Sequence, residues 1–204
     1  MNKWLLGAAV ALAAPALASA ATLNFDGVSA PYFISDAARV TTQYAAQGIV
    51  FGGHGAIVNS VGDFGTGFSA PNVLAFASGQ QFTGSAYSSQ TYDTVRLSAP
   101  QSNVTFDVGT GLGSPSLDIQ TFDAIGKMLG DQMITLGQAF QMVTLTGGFS
   151  SFALNLVGAG NGDAFAIDNL SFTAGPAIPA PEPWTAALFA VGIGGVLGIR
   201  RRVR

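Results

Sequence analysis

Residues 104–108 read Val-Thr-Phe-Asp-Val, a strict alternation of apolar and polar side chains. The same period of two recurs at residues 117–120 and 152–156, and in shorter form at 95–97 and 143–145. Such alternation is typical of antiparallel strands with one buried face. Turn-forming residues separate these runs, at Gly52-Gly53, Gly62-Asp63, Pro100, residues 109–113, Gly126-Lys127, Gly147-Gly148 and residues 158–162. The sequence therefore predicts an all-β fold, an antiparallel β-sandwich spanning residues 21–173.

Two details of strand geometry follow from the pattern. Residues 119–129 predict a strand, a turn around Gly126-Lys127 and a return strand. In the last strand, residues 164–173, the apolar side chains change from odd to even positions. One face can then stay buried only if an extra residue is absorbed, so we predict a β-bulge near Asp168-Asn169.

The composition excludes several classes of protein. The 204 residues contain no cysteine, so the fold uses no disulfide, thiolate nucleophile or zinc knuckle. Residues 21–180 carry ten aspartates against three basic residues, Arg39, Arg96 and Lys127, which leaves a formal net charge of −7. Such a domain repels phosphate backbones, so we expect no nucleic-acid partner.

The first 20 residues have the layout of a secretory signal peptide. Lys3 precedes an apolar run from Trp4 to Leu17, and Ala18-Ser19-Ala20 supplies the small residues of a cleavage site. We expect passage through the Sec translocon and cleavage by signal peptidase after Ala20. An N-terminal membrane anchor is the alternative, but the apolar run is short for a stable span.

The last 24 residues predict a short membrane stop. Residues 184–199 carry no charge and would reach about 24 Å as a helix, against about 30 Å of bilayer hydrocarbon. The basic residues that follow should stay on the cytoplasmic side; they are Arg200, Arg201, Arg202 and Arg204. The chain is therefore expected to lie outside the inner membrane, held transiently through residues 184–199.

This tail resembles the PEP-CTERM sorting signal of exported bacterial proteins, also labelled an ice-binding protein C-terminal domain. The resemblance lies in Pro181-Glu182-Pro183, the short apolar helix and the terminal arginines, in that order; Glu182 is the only glutamate of the chain. It implies recognition by a membrane-embedded exosortase, release from the helix and delivery to the cell surface or extracellular matrix. A permanent juxtamembrane anchor is the alternative. Residues 174–180 form an uncharged linker between the sandwich and this 181–204 signal.

The central residues are similar to jelly-roll, lectin-like ectodomains. The resemblance is carried by Phe25-Asp26, by Phe-Asp-Ala-Ile-Gly-Lys at 122–127 and by the last strand from Phe165 to Phe172. It covers the middle of the chain and names no ligand.

Catalytic side chains are scarce. His54 is the only histidine, it lies in a glycine-rich turn, and no Gly-x-Ser-x-Gly elbow accompanies it. A glycoside hydrolase would have to use two aspartates as acid and base, and no spacing singles out such a pair. We therefore expect a protein without catalytic residues and treat an aspartate-based hydrolase as the weaker alternative.

Two kinds of binding site are compatible with the sequence. Asp163, in a Gly-rich segment, together with Asp168 and Asp26 offers oxygen ligands for Ca²⁺, although Asp and Asn in such segments also serve simply as turn formers. Sugar binding needs an exposed aromatic face with polar groups beside it. The loop aromatics that provide candidates for this are Tyr32-Phe33, Phe64, Phe68, Tyr87 and Tyr92.

These observations predict an exported surface or matrix protein of a Gram-negative bacterium with a structural or interaction role. Its partners are the export machinery and exosortase. The alternative function is binding of extracellular polysaccharide, with or without Ca²⁺.

Overall fold

The computed structural model describes residues 20–59, 62–77, 93–111, 113–157 and 164–173. Two short 3-10 helices, Ile34–Asp36 and Ala45–Gln47, are the helical elements of this part of the chain. Nine strands make up the rest of its regular structure: β1 (Ala20–Leu23), β2 (Ile49–Phe51), β3 (Gly55–Val58), β4 (Val73–Ala77), β5 (Asp93–Gly109), β6 (Ser116–Phe122), β7 (Met128–Thr135), β8 (Gln141–Val157) and β9 (Ala164–Thr173). The predicted all-β class is confirmed.

All strand pairs are antiparallel, and the order along the sheet is β3-β4-β9-β5-β8-β6-β7. β1 also pairs with β9, and β2 with the start of β5. The two longest strands, β5 and β8, have 17 residues each and form one continuous two-stranded ribbon.

This ribbon folds back on itself. Phe106 pairs with Val143 near one end, and Phe152 pairs with Val95 near the other. Along a straight strand, Val95 and Phe106 would lie about 36 Å apart. Yet the rings of Phe106 and Phe152 stack with centroids 5.9 Å apart, so the two halves of the ribbon must face each other. The result is two packed layers with the largest side chains between them.

We call the two halves layer A and layer B. Layer A contains β1, β3, β4 and β9 with residues 103–109 of β5 and 141–146 of β8. Layer B contains β2, β6 and β7 with residues 93–97 of β5 and 151–157 of β8. Phe106, Phe149 and Phe152 are fully buried between the layers, and each contributes about 2–3 kcal/mol through removal of apolar surface from water.

Two predicted turns are wrong. Pro100 lies inside β5 and Gly147-Gly148 lies inside β8, where the ribbon bends and the β5–β8 register shifts. Gly147 has φ 124° and Gly148 has φ 71°, values that favour glycine. Turn-forming residues here bend two paired strands without ending them.

Other local predictions are confirmed. Gly126 has φ 83° in the β6–β7 hairpin, where Asp123 Oδ1 accepts hydrogen bonds from the N–H groups of Ile125 and Lys127. In β9, Asp168 and Ser171 are three residues apart, but their partners in β5, Asp107 and Thr105, are only two residues apart. The extra residue lies at Asn169, which has φ 50°. This is the predicted bulge.

The predicted signal peptide with Ala18 lies outside the described residues, as do the linker, Pro181-Glu182-Pro183, the apolar segment 184–199 and the terminal arginines. Ala20 is the first described residue and pairs with Thr173. In the described part of the chain, no helix is long and apolar enough to span a membrane.

Candidate functional site: an aromatic loop and its anchor

The structure separates the predicted aromatic candidates into two groups. Phe64 is 7% exposed, and Phe68 packs against Phe140 with ring centroids 5.5 Å apart, so both serve packing. Tyr32 and Phe33, by contrast, are 47% and 62% exposed. Tyr87 and Tyr92 lie outside the described residues, as does the predicted calcium ligand Asp163.

Tyr32 and Phe33 sit in the segment 24–37, which we call the aromatic loop. Their rings meet edge to face, with centroids 5.0 Å apart and planes at 80°. The Tyr32 hydroxyl donates a hydrogen bond of 3.1 Å to Asp63 Oδ1, and this bond, with the charge of the carboxylate, raises the pKa of Tyr32. The loop thus presents apolar ring surface beside a carboxylate acceptor.

Asp26 and Asp168 do come together, as predicted for calcium ligands, on either side of Ser69. The Ser69 hydroxyl lies 3.2 Å from Asp26 Oδ2 and 2.8 Å from Asp168 Oδ2. The backbone N–H groups of Ser69 and Asn169 donate to Asp168 at 2.6 and 2.7 Å. Asp168 is fully buried, and burial raises its pKa while these hydrogen bonds oppose the rise. These contacts make Asp168 a structural acceptor.

Asn72 connects this carboxylate pair to the aromatic loop. Its backbone N–H donates to Asp26 Oδ1 at 3.0 Å, and its side-chain amide donates to the carbonyls of Phe25 and Val28 at 3.1 and 2.8 Å. Further along, the Pro31 carbonyl accepts a bond of 2.9 Å from the Asn59 N–H. The loop is therefore held by hydrogen bonds to its backbone immediately before Tyr32.

Asp168 Oδ2 thus accepts from the Ser69 N–H and hydroxyl, and Asp26 Oδ1 accepts from the Asn72 N–H. In the described residues, no three His, Cys, Asp or Glu side chains lie close enough together to hold a metal ion. The chemistry of the donor set is that of a hydrogen-bonded anchor, and the Ca²⁺ prediction would need a further ligand such as Asp163.

His54 occupies the predicted loop between β2 and β3. It is half-buried, and burial followed by the charge of Arg39 lowers its pKa. Asp93, at the start of β5, is 2% exposed, and burial raises its pKa to about 7. Backbone N–H groups of residues 52, 54, 55 and 94 favour its charged form, but neither carboxylate oxygen makes a hydrogen bond of regular geometry. Sequence reasoning did not identify this buried acid, since an aspartate after a polar segment looks exposed.

A concave surface elsewhere on the domain was also not predicted from the sequence. A cavity of about 390 Å³ and a neighbouring one of about 160 Å³ lie between β7 and the first half of β8. Both are lined by Gln132 of β7 and Thr144 of β8, two exposed polar residues. No local sequence signal marks them, because the groove depends on how the two layers are offset.

The fold and this loop define a class: an all-β antiparallel protein that displays an anchored aromatic pair. No known protein family matches the chain, and none of the curated proteins does. Similar solved structures include a DUF4465 family protein from Bacteroides caccae, with 9% identity over 77% of this chain and 100% of that one and a TM-score of 0.49.

A family 29 carbohydrate-binding module is 11% identical over 81% of this chain and 99% of its own length, with a TM-score of 0.42. An arabinose-bound α-L-arabinofuranosidase is 14% identical over 75% of this chain, with a TM-score of 0.46, and this chain spans 26% of its length. At such scores the likeness carries no argument about function.

Proposed function

We propose that this protein is a non-enzymatic, exported surface or matrix protein whose jelly-roll, lectin-like sandwich binds extracellular polysaccharide through the aromatic loop. The observation that carries the proposal is the exposed Tyr32–Phe33 pair beside the Asp63 carboxylate. Aromatic faces pack on the C–H surface of sugars while a neighbouring acceptor takes hydroxyl protons. The anchor built by Ser69 and Asn72 supports this by holding the loop in one conformation.

For export, we propose a signal peptide cleaved after Ala20 and exosortase processing at the tail. Support comes from the order of Pro181-Glu182-Pro183, the uncharged segment 184–199 and the basic end. Prolines on both sides of Glu182 favour an extended backbone with few N–H donors, which suits a peptide held in an enzyme groove.

Replacing Phe33 tests the binding proposal. Phe33→Ala removes an exposed ring without opening the core, so we expect about a tenfold or greater loss of affinity for bound polysaccharide with an unchanged Tm. Ile125→Ala is the matched control, because Ile125 is 89% exposed at the distant β6–β7 hairpin. Affinity gel electrophoresis against a polysaccharide panel, with and without EDTA, gives the measurement.

Three outcomes of this experiment would change the proposal. Equal binding by wild type and Phe33→Ala would contradict a role for the aromatic loop. Loss of binding with EDTA would assign Ca²⁺ a part in holding the site. Release of reducing ends from any polysaccharide would replace the binding protein with a hydrolase.

Replacing Glu182 tests sorting. In the native host we expect Glu182→Ala to remain in the inner-membrane fraction with its tail intact, while wild type loses the tail. Intact-mass spectrometry of both fractions reads the two termini directly. Glu182→Asp is the matched control because it keeps a carboxylate. Identical masses and fractionation of wild type and Glu182→Ala would exclude processing at this motif.

A further inference from the structure

The groove between β7 and β8 lies where layer A ends at β8 while layer B continues past β8 through β6 to β7. In the described part of the chain, residues 141–146 of β8 pair only with β5, and β7 pairs only with β6. All residues of β7 except Ile134 are exposed, so no described strand of layer A covers this strand. Among the described residues, the outer edges of β7 and of residues 141–146 of β8 therefore have no strand partner along the groove.

The two cavities are neighbours along the same pair of strands. The larger, about 390 Å³, is lined by Gln132, Thr135, Gln141 and Thr144, and the smaller, about 160 Å³, shares Gln132 and Thr144 with it. Strand geometry gives residues 141–146 a length of about 20 Å. A linear polymer of several units therefore fits along the groove better than a compact small molecule.

The lining offers neutral hydrogen-bonding groups. Gln132 and Thr144 make no side-chain hydrogen bond to other described residues, whereas the Gln141 amide donates to the Thr135 carbonyl at 2.9 Å and closes one end. Ile134 and Val143 lie among the lining residues and add apolar surface. Amides and hydroxyls over an apolar floor match the alternating hydroxyl and C–H surface of a sugar chain.

The charges of the lining residues restrict the class of polymer that the groove can bind. No Lys or Arg lines either cavity, and Asp131 borders the smaller one. The β6–β7 register pairs Asp118 with Met133 and Gln120 with Asp131, so both carboxyls lie on the face of layer B opposite Gln132 and Ile134. A uronate or sulfate polymer would find no cation in the lining to pair with its charges.

We infer that this groove is a second binding site for an uncharged, linear polysaccharide, separate from the aromatic loop. The inference rests on the proposed function, since it extends polysaccharide binding to a second surface. Two sites on one domain hold a polymer more tightly than either alone, because the second contact is intramolecular.

The test uses the mature chain with soluble probes: xyloglucan, galactomannan and dextran as neutral polymers, and alginate and heparin as anionic ones. We expect Gln132→Ala combined with Thr144→Val to raise the Kd for the bound neutral polymer by about tenfold or more. Gln138→Ala is the matched control, an exposed glutamine outside the groove lining. The Tm of each variant shows that folding is intact.

The outcomes separate this inference from the proposed function. Neutral-polymer binding that falls with Phe33→Ala but not with the groove variant would overturn the groove site alone. No binding of any polymer by wild type would overturn both. Preference for alginate or heparin would contradict the charge argument. A dimer in light scattering that Thr144→Pro disrupts would assign the groove to edge pairing between two copies of the chain.

Discussion

At the scale of single residues, Asp93 and Asp168 are two buried carboxylates with opposite roles. Asp168 accepts hydrogen bonds from Ser69 and Asn169, whereas Asp93 has no regular hydrogen bond at either oxygen. Burial raises the pKa of both groups. The folded state therefore binds more protons than the unfolded one above about pH 4, and stability falls as pH rises toward the folded pKa values.

Replacing Asp93 should make the protein more stable. The contribution of Asp93 to stability is lost between about pH 4 and about pH 7, the value to which burial raises its pKa. Asp93→Asn removes the buried charge and keeps one acceptor oxygen, so we expect a gain on the order of 3 kcal/mol in the free energy of unfolding at pH 8 and little gain at pH 4. Urea unfolding at both pH values gives the measurement.

Asp168→Asn is the matched variant for Asp93→Asn. Its new amide would place an NH₂ group against N–H or O–H donors, so we expect a loss of about 1–3 kcal/mol at either pH. If both variants were more stable than wild type, or neither were, the hydrogen-bond donors around a buried carboxylate would not determine how it affects the stability of this protein.

At the scale of elements, the bend of the β5–β8 ribbon depends on Gly147 and Gly148. A Cβ atom added at either position meets no heavy atom within 4 Å, so the cost of substitution is purely conformational. Gly148→Ala should therefore lower the free energy of unfolding by about 1–2 kcal/mol, because φ 71° is unfavourable for alanine.

Gly137→Ala is the control for this prediction. It also meets no atom within 4 Å, and its φ lies outside the left-handed range. We expect thermal unfolding to show little change for Gly137→Ala. Equal Tm values for the two variants would mean that the bend does not require the left-handed backbone at Gly148.

Strand alternation correctly predicted strand segments within β5 to β9 but did not predict β1 to β4, and the change of parity at Asp168-Asn169 predicted the bulge. The bend in the ribbon was missed because Gly147-Gly148 and Pro100 carry the same local signal as a loop. The anchor joins residues 43 and 99 positions apart. Contacts at such separations depend on the pairing of strands, and local periodicity does not contain that information.

At the scale of the whole molecule, the β5–β8 ribbon runs through both layers and joins them. This explains how a domain without cysteine keeps its two layers together. Both long strands contribute to both layers, so neither layer can detach without breaking the β5–β8 ladder. The two proposed binding surfaces lie at the margins of this scaffold: one is on a connecting loop, and the other is where layer A ends at β8 while layer B continues to β7.

Residues 20 and 173 are partners in the same β1–β9 ladder. A force that pulls these two ends apart acts across the ladder, so its four residue pairs open one after another like a zipper. Tension applied along the chain would therefore peel β1 away first and leave the ribbon under no load. Tension on a polymer held in the groove would instead act on β7, an edge strand paired with β6, and on β8, which pairs with both β5 and β6.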